Sequence, residues 1–209
     1  PMLQGVKNIL FDLGGVLLHI DYQRTVNAFQ NLGLTNFERH FTQHQQNDLF
    51  DAFETGKVSA EYFVGELHKL LPHCSEQQIV DAWNAMLIRI PKENLDLLEK
   101  LSKHFRLFLL SNTNVLHIQF VNTGLQKTYG TASMNGVFKK SYYSHEIGMR
   151  KPHQETFEWV LNDASIKAEE TLFVEDTAQH IVGAKASGLK THHLESNSVI
   201  TSLFPDIAL

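Results

Sequence analysis

The sequence predicts an α/β fold, in which a doubly wound parallel sheet carries an inserted helical segment. The first observation behind this prediction is a set of strand-length apolar runs, each bounded by polar residues and followed at once by a predicted helix. These runs are Asn8–Phe11, Leu107–Leu110 and Thr171–Val174. Continuous apolarity of this kind is typical of strands covered on both faces, as in a parallel sheet. The second observation is a long stretch of helical periodicity between the first run and the second.

The helical stretch covers residues 22–91. Apolar side chains recur in it at helical spacing: Phe29, Leu32, Phe37, Leu49, Phe50, Phe53, Tyr62, Phe63, Leu67, Leu70 and Leu71. Asp21 is suited to N-cap the first of these helices, and Ser59 is suited to begin another. Gly56 and residues 71–73 mark turns. We therefore predict a bundle of short helices inserted after the first strand.

Beyond Pro91 the chain returns to alternating helices and strands. Besides the two remaining apolar runs, the predicted elements are a helix near 92–104, a helix from Asn114, a strand around 141–144, a helix from His153 and a helix over 178–187 capped by Gly188. This order predicts a core built from residues 1–21 and 92–209, interrupted by the helical segment 22–91.

Composition limits the class of protein. The 209 residues are 43% hydrophobic and 20% charged, a balance typical of a globular chain that buries a substantial core. The net charge is -5 and no Lys/Arg cluster is present, which argues against a nucleic-acid partner and favours a small substrate. No apolar stretch approaches the roughly 20 residues of a membrane span, and the N-terminus lacks a targeting pattern, so we expect a cytoplasmic protein without a membrane partner. Cys74 is the only cysteine, which excludes an internal disulfide.

Polar residues follow each apolar run. Asp12 comes after the first run, Ser111 and Asn112 come after the second, and Glu175 and Asp176 come after the third. In an open parallel sheet, ligands bind beyond the carboxyl ends of the strands. The sequence therefore predicts one site assembled from three distant segments.

The first two strand ends suit the binding of an anion. Asp12 precedes Gly14 and Gly15, a tight turn at which a carboxylate can approach a ligand closely and attack it. Ser111 and Asn112 offer a hydroxyl and backbone N–H groups at a predicted helix start, which is a natural seat for an anion. A nucleophile and an anion seat are therefore expected side by side.

Charged residues nearer the C-terminus complete the predicted site. Lys151 supplies a cation just before a predicted helix, and Glu175 with Asp176 places two carboxylates where a hard cation is held. Each signal taken singly is more simply a cap or a turn residue. Their order and spacing together are what indicate a function.

The four segments together resemble the four motifs of the haloacid dehalogenase superfamily. Residues 11–16 (FDLGGV) are similar to the first motif, 110–113 (LSNT) to the second, 151–152 (KP) to the third and 173–176 (FVED) to the fourth. Residues 111–117 and 147–152 look like the α-D-glucose-1-phosphate phosphatase branch. The resemblance spans nearly the whole chain, and it implies a Rossmann-like core with a helical cap inserted between the first two motifs.

The resemblance implies a Mg2+-dependent phosphomonoesterase for a small phosphorylated metabolite, with a sugar phosphate favoured. Asp12 would be the nucleophile and would form an aspartyl-phosphate that water then hydrolyses. Ser111 and the backbone N–H of Asn112 would bind the phosphoryl oxygens, and Lys151 would neutralise charge in binding and catalysis. The implied Mg2+ ligands are the carboxylates of Asp12 and Asp176 and the carbonyl of Gly14, with Glu175 as a ligand or an outer-shell acceptor.

One position departs from the superfamily pattern. Phosphatases of the superfamily usually carry a second aspartate two residues after the nucleophile, as acid for the leaving alcohol and base for water, whereas this chain has Gly14 there. General acid–base help is typically worth about 10^2 to 10^4 in rate, so its loss affects poor leaving groups most. His19, Asp21 or a cap residue could supply the proton. Otherwise the substrate has a good leaving group, such as an anomeric hydroxyl, or the enzyme is slow.

Other functions stay open on the sequence. A 2-haloacid dehalogenase uses the same nucleophile on carbon, but it has no need for Glu175 and Asp176, whereas a phosphatase needs a cation to screen carboxylate from phosphate. A protein that binds a phosphorylated ligand with little turnover is the second alternative, favoured by Gly14, and a phosphotransferase or mutase is the third. The residues that select the substrate are expected on the cap, where residues 53–57 are the first segment to mutate.

Overall fold

A five-stranded parallel sheet forms the centre of the computed structural model, which describes residues 2–40, 48–130, 136–196 and 198–204. In chain order the elements are β1 (Asn8–Phe11), β2 (His19–Ile20), α1 (Tyr22–Leu32), α2 (Phe37–His40), α3 (Asp48–Glu54), α4 (Ala60–Leu70), α5 (Glu76–Asn84), β3 (Leu87–Arg89), α6 (Lys92–Leu101), β4 (Arg106–Ser111), α7 (Val115–Tyr129), β5 (Phe138–Tyr143), α8 (Ser144–Ile147), α9 (Gln154–Ala164), β6 (Thr171–Glu175), α10 (Ala178–Ala186) and β7 (Lys190–His193). Short 3-10 helices lie at Ala168–Glu170 and Ile200–Leu203.

The sheet has the strand order β5–β4–β1–β6–β7, and every neighbouring pair is parallel. The three predicted apolar strands are its three central strands, and β1 lies in the middle. Their carboxyl ends therefore lie side by side, as the sequence predicted.

Side chains alternate between two packed faces of the sheet. Ile9 and Phe11 of β1 lie in a buried cluster that includes residues of α6 and α7. Leu10, between them, lies in a second cluster that includes residues of α9 and α10. Helices therefore cover both faces, which confirms the predicted doubly wound α/β class.

Helices α1 to α5 pack around a buried aromatic cluster formed by Phe29, Phe37, Phe50, Phe53, Phe63 and Trp83. The Asp21 side chain accepts a hydrogen bond from Gln23 N at 3.0 Å, and Ser59 accepts one from Tyr62 N at 3.1 Å. Both predicted N-caps are therefore confirmed. The division into a core of 1–21 and 92–209 and a cap of 22–91 stays a prediction, and it extends over residues outside the described ranges.

Two short strands link this helical segment to the sheet, and the sequence did not predict them. β2 and β3 pair antiparallel in a separate two-stranded sheet, so residues 87–89 form a strand within a stretch predicted as helical. Strands of two and three residues are too short to produce a recognisable period. They bring both ends of the helical segment to the same edge of the molecule.

The edge strands of the main sheet also differ from the prediction. The strand predicted around 141–144 is β5, which covers 138–143, and Ser144 already begins α8. β7 was missed because Lys190–His193 is polar and only half-buried. Edge strands are covered less completely than central ones, so they lack the continuous apolarity that marks the central strands. In the described residues, no helix combines the length and apolarity needed to cross a membrane.

Candidate active site

The turn after β1 holds Asp12 at the centre of the sheet edge. Its backbone N donates to the carbonyl of Val174 on β6 at 3.1 Å, and Leu13 O accepts the backbone N–H of Leu18 at 2.9 Å, which closes the turn. Gly15 has φ +80°, and a Cβ there would overlap the carboxylate of Asp176. The backbone of this turn therefore lies so close to Asp176 that only glycine fits at position 15.

Lys151 is the cation at the centre of the site, and it is 1% exposed. Its Nζ donates to Asp12 Oδ1 at 2.8 Å, to Glu175 Oε2 at 2.8 Å and to the carbonyl of Leu110 at 2.9 Å. An ammonium group has three donors, and all three are used. Lys151 is therefore fixed between the two carboxylates.

Asn112 positions Lys151 through its side chain. Its Nδ2 donates to Lys151 O at 2.9 Å, and its Oδ1 accepts from Lys151 N at 2.9 Å. This paired amide contact ties the end of β4 to the loop that carries the lysine. The sequence assigned Asn112 to the anion seat through its backbone, and nothing in the spacing of 39 residues predicted the side-chain contact. Ser111, at the end of β4, is buried and lines the same cleft as Asp12.

Glu175 and Asp176 are adjacent in sequence but differ in environment. Glu175 Oε1 accepts from the backbone N–H groups of Asp176 at 3.1 Å and Thr177 at 3.3 Å, and its Oε2 accepts from Lys151 and from His180 Nδ1 at 3.1 Å. Burial opposes its charge, yet Lys151 and His180 hold the pKa of Glu175 below its usual value. Asp176 is only partly buried and faces the cleft. Of the two, Asp176 has the carboxylate that is available to a ligand.

The site carries more negative charge than its lysine balances. Ligand atoms of Asp12, Glu175 and Asp176 all lie within 4.8 Å of one another. Burial and then the charge of Glu175 raise the pKa of Asp12 to about 7, although Lys151 acts in the other direction. Burial and then the charge of Asp12 also raise the pKa of Asp176. An all-oxygen donor set with excess negative charge fits a hard divalent cation such as Mg2+.

The cleft beyond these carboxylates is lined on its other side by the helical segment and the loops next to it. Its volume is about 100 Å³. The lining residues outside the strand ends include Tyr22, Glu54, Trp83, Asn114, His117, Arg150 and His180. Glu54 lies in the 53–57 segment that the sequence selected for mutation, whereas Tyr22 and His180 were missed because their helical positions carry no motif.

Asn114 and His117 hold the helical segment against the core. Asn114 Oδ1 N-caps α7 by accepting His117 N at 3.0 Å, and it also accepts Trp83 Nε1 at 3.2 Å. His117 Nε2 donates to the carbonyl of Trp83 at 3.1 Å, and the two rings stack with centroids 4.5 Å apart. Burial lowers the pKa of His117 to about 4, so this imidazole is neutral at pH 7. The role of this pair is to position Trp83 at the cleft.

The space next to Gly14 is occupied by Ile20. A Cβ at position 14 would overlap Ile20 Cδ1, so a second acid at this position would require the tip of the Ile20 side chain to move. Of the proposed proton donors, His19 is exposed and Asp21 serves as the cap of α1, and neither lines the cleft. Of the three options for the proton donor, a residue of the helical segment is the one that remains.

Comparison with known proteins agrees with this geometry. The family model of haloacid dehalogenase-like hydrolases matches residues 6–188. A D-ribitol-5-phosphate phosphatase of Bacteroides thetaiotaomicron is 31% identical over 194 residues, which cover 92% of this chain and 94% of the relative.

Solved structures give the same result. An enzyme of the haloacid dehalogenase family from Bacteroides thetaiotaomicron, an aspartate-to-alanine variant in complex with magnesium and inorganic phosphate, superposes with a TM-score of 0.90 at 34% identity, over 95% of this chain and 98% of that one. A predicted hydrolase of the same family from Porphyromonas gingivalis gives a TM-score of 0.86 at 29% identity, over 98% of both chains.

The fold and the site define a hydrolase with an aspartate at the end of its central strand. The chain belongs to the haloacid dehalogenase-like hydrolase family. The narrower resemblance to α-D-glucose-1-phosphate phosphatases stays a prediction.

Proposed function

We propose that this chain is a Mg2+-dependent phosphomonoesterase that acts on a small phosphorylated metabolite, with a sugar or sugar-alcohol phosphate favoured. The observation that carries the proposal is the arrangement at one end of the cleft, where the Lys151 ammonium group lies between Asp12 and Glu175 and the carboxylate of Asp176 lies close to both of them. The relative named as a D-ribitol-5-phosphate phosphatase and the neighbour crystallised with magnesium and phosphate support it.

The reaction would proceed in two displacements at phosphorus. A carboxylate oxygen of Asp12 attacks, the bond from phosphorus to the leaving oxygen breaks, and the leaving alcohol takes a proton. Water then attacks the aspartyl-phosphate, the bond between phosphorus and the aspartyl oxygen breaks, and inorganic phosphate and the free carboxylate result. Lys151, already hydrogen bonded to Asp12, would offset negative charge in both steps.

The phosphoryl oxygens would be bound by the end of β4. Ser111 lines the cleft, and the backbone N–H of Asn112 follows it at the same strand end. Asn112 also holds the backbone of Lys151 through its side chain. The same short segment would therefore bind the phosphoryl oxygens and position the lysine. Such preorganisation suits phosphoryl transfer, because that reaction depends on positioning and charge neutralisation.

Mg2+ would be held by the carboxylates of Asp12 and Asp176 and the carbonyl of Gly14, and Glu175 would not contact the ion directly. The reason is that Glu175 already accepts four hydrogen bonds. When bound, the ion supplies positive charge that screens the carboxylates from the phosphate. The excess negative charge at Asp12 and Asp176 is the feature of this chain that calls for it.

The experiment is phosphate release from a panel of sugar phosphates, alditol phosphates and nucleotides, with Mg2+ or with a chelator. We expect activity with Mg2+, loss with the chelator, and a fall of at least about 10^3 in kcat for Asp12→Asn. Asp96→Asn, a change of an exposed aspartate on α6, is the matched control.

Two results would favour the alternatives. Equal phosphate release by the wild-type chain and Asp12→Asn would favour a ligand-binding protein with little turnover. Halide release from 2-haloacids in the presence of chelator would favour a dehalogenase.

A further inference from the structure

Glu54 places a buried carboxylate in the cleft. It is the last residue of α3, it is 6% exposed, and it lines the same cleft as Asp12 and Asp176. A glutamate is almost never this buried unless it is paired, and Arg150 Nη2 lies 3.8 Å from its Oε1. Glu54 is therefore a third acidic side chain that faces a pocket proposed to hold a phosphate ester.

The position of Glu54 is fixed by contacts with the core. Asp51, one turn earlier on α3, accepts a hydrogen bond from Arg150 Nη1 at 3.1 Å. Gly56, with φ +73°, packs so closely against the carbonyl of His145 that a Cβ there would overlap it. The end of α3 is therefore held against the segment that follows β5, and the Glu54 carboxylate has a defined place over the cleft.

Among the residues that the structure describes, Lys151 and Arg150 line the cleft, and each of them contacts two carboxylates. Lys151 contacts Asp12 and Glu175, and Arg150 contacts Asp51 and Glu54. A second anionic group on the substrate would therefore meet the Glu54 carboxylate beside an arginine that is already shared, and like charges at close range are costly.

Hydroxyl groups, in contrast, suit this part of the cleft. The Glu54 carboxylate is an acceptor, and Tyr22 brings a phenolic hydroxyl to the same cleft. Although Tyr22 as a whole residue is 39% exposed, burial, then the charge of Glu54 and then those of the strand-end carboxylates raise its pKa, so its hydroxyl stays protonated and can donate. Together they offer an acceptor and a donor to an alcohol group, which itself both donates and accepts hydrogen bonds.

We propose that Glu54, held by Arg150, selects substrates whose leaving group is neutral and hydroxylated, and excludes those whose leaving group carries a second anionic group. This inference rests on the proposed phosphatase function and deepens it, because it names the class of leaving group. Glu54 acts here through contact with the part of the substrate remote from phosphorus.

The test compares two substrates that differ at one carbon: D-ribitol 5-phosphate, and 5-phospho-D-ribonate, in which a carboxylate replaces the terminal CH2OH. For the wild-type chain we expect kcat/KM to favour the neutral substrate by at least about 100-fold, and Glu54→Gln to reduce that ratio by at least about 10-fold. Glu61→Gln, at an exposed position of α4, is the matched control and should leave the ratio unchanged. A ratio in Glu54→Gln within twofold of the wild-type value overturns the inference.

Binding measured without turnover separates this inference from the proposed function. Calorimetry of the Asp12→Asn variant with Mg2+ should give a Kd for D-ribitol 5-phosphate at least about 10-fold lower than for 5-phospho-D-ribonate. If that preference holds while the wild-type chain releases no phosphate, the inference stands and the phosphatase proposal fails. Equal or reversed affinities overturn the inference whatever the activity.

Should Glu54→Gln fail to fold, Glu54→Asp replaces it. This variant keeps the negative charge but shortens the side chain by one methylene group. We therefore expect the discrimination against 5-phospho-D-ribonate to persist while kcat/KM for D-ribitol 5-phosphate falls. Loss of the discrimination in Glu54→Asp contradicts the proposal.

Discussion

The two sides of the cleft are built on different principles. The acidic end, formed by Asp12, Lys151, Glu175 and Asp176, lies at the ends of buried parallel strands and is held by short charged hydrogen bonds. The cap side, formed by Tyr22, Glu54 and Trp83, is carried on helices that pack through aromatic rings. Charged hydrogen bonds therefore dominate at the acidic end, whereas the cap side depends mainly on aromatic packing, with Glu54 paired to Arg150 as its charged contact. Substitutions at the two sides should therefore have different effects on stability and on activity.

The largest effect is expected for Lys151→Met, which tests the electrostatic half of this contrast. Removing the ammonium group leaves Asp12 and Glu175 buried without their shared cation, and breaking such a pair costs about 3–5 kcal/mol. We expect kcat to fall by at least about 10^3 together with this loss of stability, because the same group offsets charge during phosphoryl transfer. Urea unfolding and phosphate release measure the two effects.

Lys92→Met is the control for this variant. Lys92 Nζ lies 3.3 Å from Asp96 Oδ2 on an exposed helix face. Exposed ion pairs of this kind contribute about 0–1 kcal/mol to stability. A Lys151→Met variant as stable and as active as Lys92→Met would show that the acidic end does not depend on its lysine.

A smaller loss of activity is expected for Trp83→Ala, which tests the packing half. Trp83 is 1% exposed and contacts the rings of Phe50, Phe63 and His117, so its removal leaves a cavity and costs about 3–5 kcal/mol. Since the acidic end keeps its hydrogen bonds, we expect kcat below the melting transition to fall by less than about tenfold, while KM rises. Thermal unfolding and steady-state kinetics provide the measurement.

The matched control is Trp159→Ala, since Trp159 is 38% exposed on α9. Its loss should cost less than that of Trp83, because a smaller part of its ring is covered. If Trp83→Ala abolished turnover in a folded protein, the separation between the two sides would be wrong.

The smallest effect is a dependence of stability on pH that comes from His117, at the contact between the two sides. Burial lowers the pKa of His117 to about 4, from about 6.5 for an exposed imidazole, so protonation favours the unfolded chain. The stabilising contribution is complete above pH 6.5 and is lost as the pH falls toward 4, at most roughly 3 kcal/mol. We expect His117→Gln to be less stable at pH 7 and to show a flatter decline of the urea midpoint between these pH values.

His104→Gln is the comparison for this pH dependence, because His104 is exposed and should leave the wild-type decline unchanged. A decline in His117→Gln as steep as that of the wild-type chain would assign the acid sensitivity to other groups.

The sequence predicted the acidic end better than the cap side, for a physical reason. Asp12 follows β1 and Glu175 ends β6, and strands buried on both faces are recognisable as continuous apolar runs with polar ends. Glu54, in contrast, is one of three acidic residues of α3, together with Asp48 and Asp51, and only the packing of that helix decides which one enters the cleft.

Contacts between distant segments were equally beyond the sequence. The paired amide contact of Asn112 with the Lys151 backbone depends on a loop geometry that spacing does not encode. β7 and the β2–β3 pair were missed because polar or very short strands leave no period to recognise. The fold class could therefore be derived from its most buried parts, and the details of its edges could not.

The contact between Gly14 and Ile20 has a consequence for how this catalyst can change. Because a Cβ at position 14 would meet the tip of the Ile20 side chain, an aspartate there requires Ile20 to turn away or to be replaced by a smaller residue. A lineage or a laboratory redesign that acquires this acid, and with it a broader range of leaving groups, is therefore expected to repack residue 20 as well.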